Sequence, residues 1–453
     1  MGYGQSWLFR YPAPPPPPPS PVVETTKAPT PKRSGLRRPS SGDISIEPTE
    51  KDSLARMQDR DVGAFSMTPI APNRLLVTTP WMVCDLQFLH ETQQFHLSPL
   101  GIFPSSEDAP PSTMDDIDRA MVMAGTPLDA SFLSSDVLHV SPDHRVLVLV
   151  YQELHGPCCL LLQPCGGRPG RQRFEQADVP LKTIPMTATV GDAQFFGAVL
   201  FRHDAIVAVG YTASDSTEAT QLDAEAFAVF FPHLVGFRHA VTAYHSVVVD
   251  GTRIVALGCG NGVVHFVHGP ARADSVAADF VATTFELDGP ISNINVFSPR
   301  VVDGRVSCKA LVSASIGYAV VYADPFDASG APEFLPDSDY YDSLLCCASA
   351  DVDFDGEPEL LLGSFSNALV AYKAANTDGK ATWTLEPRSK WDFFFFGPVY
   401  SIVVQDMNGD GVDEIVVAST DGIHVLEPDC DLVLAKLQAV LHLLQQQGQP
   451  ETG

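Results

Sequence analysis

The stretch QDMNGDGVDEIVVAS, residues 405–419, sets oxygen-bearing side chains at alternate positions and then turns apolar without a break. Counting Asp406 as position 1, Asn408 is position 3, Asp410 is 5, Gly411 is 6, Val412 is 7 and Glu414 is 9. Alternate positions of a tight turn aim their oxygens inward, and a hard cation such as Ca²⁺ takes roughly six to eight of them. Gly411 permits the sharp turn. Val412 would contribute its backbone carbonyl, which asks nothing of its side chain. An EF-hand would need a bidentate Glu at position 12 and a helix on each side. Here position 12 is Val417, and the flanking YSIVV and EIVVAS read as strands. The stretch predicts a Ca²⁺ loop feeding a β-strand.

The same pattern stands 55 residues upstream in ADVDFDGEPELLLG, residues 350–363. Its ligand set would be Asp351, Asp353, Asp355, the Glu357 carbonyl and Glu359, so up to two structural Ca²⁺ ions are expected. Two copies in register point to a repeat. Apolar runs followed by a turn and a second strand begin near Leu75, Val146, Ala205, Ile254, Ala310, Glu359 and Ile415, between 49 and 71 residues apart. Asn261–Gly262 and Asp421–Gly422 are hairpin-turn dipeptides. One hairpin unit per fifty or so residues suits the blades of a propeller, which removes long free sheet edges by radial closure. The expected fold is all-β: a seven-bladed β-propeller over residues 63–429, with a proline-rich N-terminal arm and a short C-terminal α-helix. The cation loops would fasten turns inside single blades.

The flanks differ in texture. Residues 1–62 hold the proline run 14–19 and the basic segment KRSGLRR, residues 32–38. Such a segment cannot bury enough apolar surface to offset its ordering entropy, so a disordered arm is expected. Its prolines suit polyproline II, a conformation that polyproline-binding proteins read. Residues 430–453 carry Leu434, Leu437, Leu441 and Leu444 on one helical stripe, which predicts an amphipathic helix docked on the propeller or on a partner.

Charge narrows the function. The chain carries −27, yet residues 1–42 hold six basic groups against the single acid Glu24, leaving about −32 for the remainder. An acidic body repels nucleic acid and anionic membrane. Nine cysteines without a C-x-x-C spacing read as reduced, buried thiols of a cytosolic protein. There is no apolar run long enough for a membrane span and no hydrophobic signal segment. No G-x-S-x-G, H-E-x-x-H or Walker loop appears, so no catalytic residue is expected. GCGNG at 258–262 lies between two strands and reads as a hairpin turn. WDFFFFGPVY at 391–400 reads as a buried outer strand and its turn.

Several stretches carry a resemblance. The two acidic loops, each followed by an apolar strand, are similar to the FG-GAP/VCBS-type repeat of integrin-like propellers. ALGCGNGVVHFVH (256–268), LDGPISNINVFS (287–298), the stretch from FLPDSDYYDS to NALVAYK (334–373) and residues 398–426, followed by the helix at 431–447, resemble the kaptin family, subunits of the KICSTOR complex. The resemblance covers residues 240–445 well and 65–240 only as a blade pattern. It implies a non-catalytic scaffold with other KICSTOR subunits and the GATOR complex as partners. It also implies negative regulation of TOR complex 1 during amino acid or glucose starvation, through recruitment of GATOR to the lysosomal surface from the cytoplasm. A second implied role is that of an actin-associated adaptor at the cell periphery, in lamellipodia and stereocilia. In that case the basic, proline-rich arm would be the contact, because the acidic body should avoid acidic actin. The resemblance leaves the arm and the 104–116 insertion unmatched.

Overall fold

The computed structural model describes residues 3–10, 65–80, 82–99, 130–141, 144–153, 156–164, 172–212, 218–271, 277–327, 330–377, 380–387, 391 and 393–447. The proline run, the 104–116 insertion and residues 448–453 lie outside the described residues.

Seven antiparallel sheets follow one another along the chain. Their first strands are Ser66–Ala71, Ala130–Ser141, Lys182–Val190, Val241–Val249, Ile291–Val302, Leu344–Ala350 and Val399–Gln405. Each first strand packs against the first strand of the next sheet, and Val399–Gln405 packs against Ser66–Ala71. The seven sheets are therefore the blades of a closed ring.

The last blade shows how the ring shuts. Its inner three strands, Val399–Gln405, Glu414–Ser419 and Gly422–Pro428, come from the end of the chain. Its fourth, Tyr3–Arg10, comes from the beginning and pairs antiparallel with Gly422–Pro428. This corrects the expectation that residues 1–62 form a single arm. A three-stranded blade would leave its outer edge unpaired, and the first residues of the chain supply the missing ladder.

The core is divided in the same way. Seven clusters of buried apolar side chains each lie between two neighbouring blades. Side chains alternate across a strand, so each second strand feeds two clusters. In Glu359–Ser364, Leu360 and Leu362 face the fifth blade while Leu361 faces the seventh. Both faces are covered, which is why ELLLGS and EIVVAS are apolar runs and are buried throughout.

Four blades repeat a finer device. The first strand bulges just after its start, at Val241/Ala243, Ile291/Asn293, Leu344/Cys346 and Val399/Ser401. Opposite each bulge the second strand places a small residue: Gly258, Ser313, Gly363 or Ala418. A Cβ on Gly363 would come within 2.5 Å of the Val399 side chain in the next blade. The small residue lets adjacent blades approach, and the bulge adds the twist that turns one blade past another.

In the third blade the second strand is Ala193–Phe201 and the third is Ile206–Tyr211. The sequence reading began that unit at Ala205, one strand late, because AQFFGAVLF and AIVAVGY are equally apolar. The short helix α1, Ala224–Phe230, was also not expected; Asp223 caps it by accepting from the Ala226 N–H at 2.8 Å. The C-terminal helix α2 spans Cys430–Gln447. Its Leu434, Leu437 and Leu441 are exposed, so of the two placements expected for this stripe, on the propeller or on a partner, the first is not adopted.

Candidate functional site

Both acidic loops connect the first and second strands of their blades, and both are built on one backbone plan. In the sixth blade Asp351 accepts from the N–H groups of Asp355 at 3.0 Å and Gly356 at 2.8 Å. Glu359 reaches back to accept from the Val352 N–H at 2.9 Å. In the seventh, Asp406 accepts from Gly409 at 2.7 Å and Gly411 at 2.9 Å, and Glu414 accepts from the Met407 N–H at 2.7 Å. The first carboxylate ties the turn and the last closes it, as the common sequence pattern implies. Glu359 and Glu414 are both buried.

The centres of the two loops differ. Asp351, Asp353 and Glu359 bring carboxylate oxygens within 4.8 Å of one another. Lys373, on the third strand Ala368–Thr377, places its ammonium among this group. Nζ lies 2.5 Å from Asp353, 2.6 Å from Asp355 and 2.8 Å from Glu359. Burial opposes the lysine charge, but the hydrogen bonds to Asp353, Asp355 and Glu359 hold its pKa well above the usual value. The ammonium supplies the positive charge that the loop would otherwise seek from a metal. With Lys373 where it stands, the ammonium and a Ca²⁺ ion would compete for the same carboxylate oxygens of Asp353, Asp355 and Glu359.

The seventh-blade loop has no lysine at the matching strand position. Leu360 pairs with Tyr372 and Ile415 with Leu426, so the position of Lys373 is taken by Glu427. Burial pushes the Glu414 carboxyl up to about 7; the Met407 N–H opposes this, and the charges of Asp410, Asp406 and Glu427 add to it. The Asn408 amide nitrogen lies 3.1 Å from Asp410 and 2.6 Å from Glu414. Asp410 also accepts from the Val412 N–H at 2.9 Å. An excess of negative charge beside a buried carboxyl is what a bound hard cation would offset, and that occupant is proposed below. Asp406, Asn408, Asp410, Glu414 and the Val412 carbonyl would hold it. Among the described residues, no His, Cys, Asp or Glu trio other than Asp351, Asp353 and Glu359 converges within 4.8 Å.

Sequence reasoning missed Lys373. The signal was a lysine fourteen residues after Glu359, meaningful only once the strand register is known. The other expectations fall out simply. Seven of the eight described cysteines are buried and free, and burial pushes the Cys347 thiol up to about 12. In the phenylalanine run, Phe393–Phe394 forms a short strand, Phe395 is buried and Phe396 is exposed. No helix among the described residues is long and apolar enough to cross a membrane.

Comparison with known proteins adds the family. The profile described as "KICSTOR complex protein kaptin" matches residues 211–438, half of the chain. The chain belongs to the kaptin family. The match runs from the third strand of the third blade into α2, and so includes both acidic loops. Kaptin of Mus musculus, described as a KICSTOR complex protein, is 26% identical over 340 residues, covering 69% of this chain and 77% of the mouse protein. Two solved structures are looser likenesses. BBS1N in complex with ARL6DN has a TM-score of 0.41 at 9% identity, over 81% of this chain and 91% of that one. Drosophila Semaphorin 1a, extracellular domains 1-2, has a TM-score of 0.43 at 9% identity, over 82% and 86%. The propeller assignment for this kaptin-family chain rests on its own ring of sheets.

Proposed function

We propose that this protein is a non-catalytic scaffold subunit of a KICSTOR-type complex, which brings the GATOR complex to lysosomes and restrains TOR complex 1 when amino acids or glucose run short. Membership of the kaptin family carries the reading. A closed propeller suits the role, since its core is complete between blades and its outer surfaces remain for partners. The test is genetic. Cells lacking the protein should keep TOR complex 1 substrates phosphorylated after amino acid withdrawal, and re-expression should restore the fall. A normal fall in the deleted cells would refute the proposal.

The loop at 406–414 is proposed as the one structural Ca²⁺ site. Chelation should lower the melting temperature of the parent protein but not that of an Asp410→Ala variant. An unmoved melting curve of the parent would show that the loop works without metal.

A further inference from the structure

We propose that the face of blades five to seven opposite the acidic loops is a docking surface for a partner segment that inserts apolar side chains and surrounds them with lysines or arginines. On this face the turns between second and third strands meet the connections that enter the next blade. They form one continuous row. The Ser343 hydroxyl donates to the Ser315 carbonyl at 2.5 Å, and the Phe365 N–H donates to the Ser343 carbonyl at 2.8 Å. Next, Ser366 donates to the Tyr341 carbonyl at 2.9 Å, and the Phe395 N–H to the Asn367 carbonyl at 3.0 Å.

This row exposes large apolar side chains one after another. Ile316 is 57% exposed, Tyr340 79%, Phe365 49% and Phe396 85%. In the third and fourth blades the equivalent turns, Arg202–Ala205 and Gly260–Gly262, are polar or small. A contiguous apolar row on a folded surface marks an interaction site, and aromatic rings are the common anchors of one.

The row is also held ready. Tyr340 sits on a one-turn 3₁₀ segment, Ser338–Tyr341, anchored by the buried Ser338. The Ser338 hydroxyl donates to the Leu335 carbonyl at 2.9 Å and accepts from the Ala319 N–H at 3.3 Å. The Tyr372 hydroxyl donates to the Pro336 carbonyl at 2.9 Å. Asp337 and Asp342 flank the segment at φ 58° and 60°, the latter with ψ −156°, a conformation nearly confined to glycine. Non-glycine residues keep such backbone only where the surroundings over-determine it, often at binding surfaces.

Charge selects the partner. Asp288, Asp337, Asp339 and Asp342 are exposed around the rings, and Asp421 lies on the last turn. The described segments of the row, residues 287–290, 315–317, 335–343, 365–367, 393–398 and 420–421, contain no lysine or arginine; Arg388 and Lys390, in the connection that enters the seventh blade, lie outside the described residues. A second copy of this face would be repelled; a basic rim would be drawn in.

The proposal rests on the scaffold reading but not on which complex is scaffolded. Hydroxyl-radical footprinting of the full-length protein, in cells and as the purified chain, tests it. Oxidation of Tyr340 and Phe365 should fall about fivefold or more in cells, as for rings at the dry centre of an interface. The exposed double substitution Asp288→Lys with Asp339→Lys should restore labelling while leaving the melting temperature unchanged. Equal reactivity in cells and in the purified chain would overturn the surface. Protection that survives charge reversal would overturn the basic partner. Failure of KICSTOR subunits to co-purify would remove the complex named above and leave the footprint to decide this face.

Discussion

Removing the Lys373 ammonium leaves Asp353, Asp355 and Glu359 facing one another with no positive charge between them. Lys373→Met should cost roughly 1–3 kcal/mol in denaturant unfolding, between the values for exposed and buried ion pairs. Added Ca²⁺ should recover part of that loss in the variant, because the loop then regains its demand for a cation. His233 offers a pH test. It is buried between the rings of Phe231 and Phe280, and burial, with Arg253 adding, lowers its pKa from 6.5 to about 4. Above pH 6.5 it is neutral in both states and its contribution is intact. As the pH falls from 6.5 toward 4 the unfolded chain takes up a proton that the folded chain refuses, so stability is lost through that window. The loss is on the order of 3 kcal/mol. His233→Phe should flatten this limb of the stability–pH curve. At this scale the sequence disclosed the acidic turn from Asp406 to Glu414 because its hydrogen-bonding residues are neighbours in the chain. Lys373 and Glu427, which give the loops opposite charge balance, belong to a strand register that chain order alone does not reveal.

The N-terminal strand is the element on which closure turns. Tyr3–Arg10 pairs with Gly422–Pro428 and covers the outer edge of the last blade. Deleting residues 1–10 should lower stability by on the order of a few kcal/mol, the net of lost ladder hydrogen bonds and regained chain entropy. The bared edge should also promote association, visible in light scattering. Unchanged melting and a monodisperse product would show that the strand is dispensable. The strand was illegible because it lies beside the proline run, whose composition dominates the reading of that flank. The second strands were legible as continuous apolar runs. The fourth strands were not; two of them, Thr220–Gln221 and Glu333–Phe334, are only two residues long. The missed start of the third blade has a related cause, since two adjacent strands buried on both faces carry no mark of which comes second.

At the scale of the molecule, seven interblade cores close a ring, with the acidic loops on one face and an exposed aromatic row on the other. The repeat made the ring legible, because each blade buries its apolar runs only against a neighbour. The surfaces were not legible, since exposure of Tyr340 or Phe396 depends on which turns the ring brings together. Affinity purification of the full-length protein from starved and fed cells, followed by quantitative mass spectrometry, tests the central claim most directly. The account predicts that KICSTOR subunits are recovered in stoichiometric amounts under both conditions. Purification of the intact protein without any of them would contradict it.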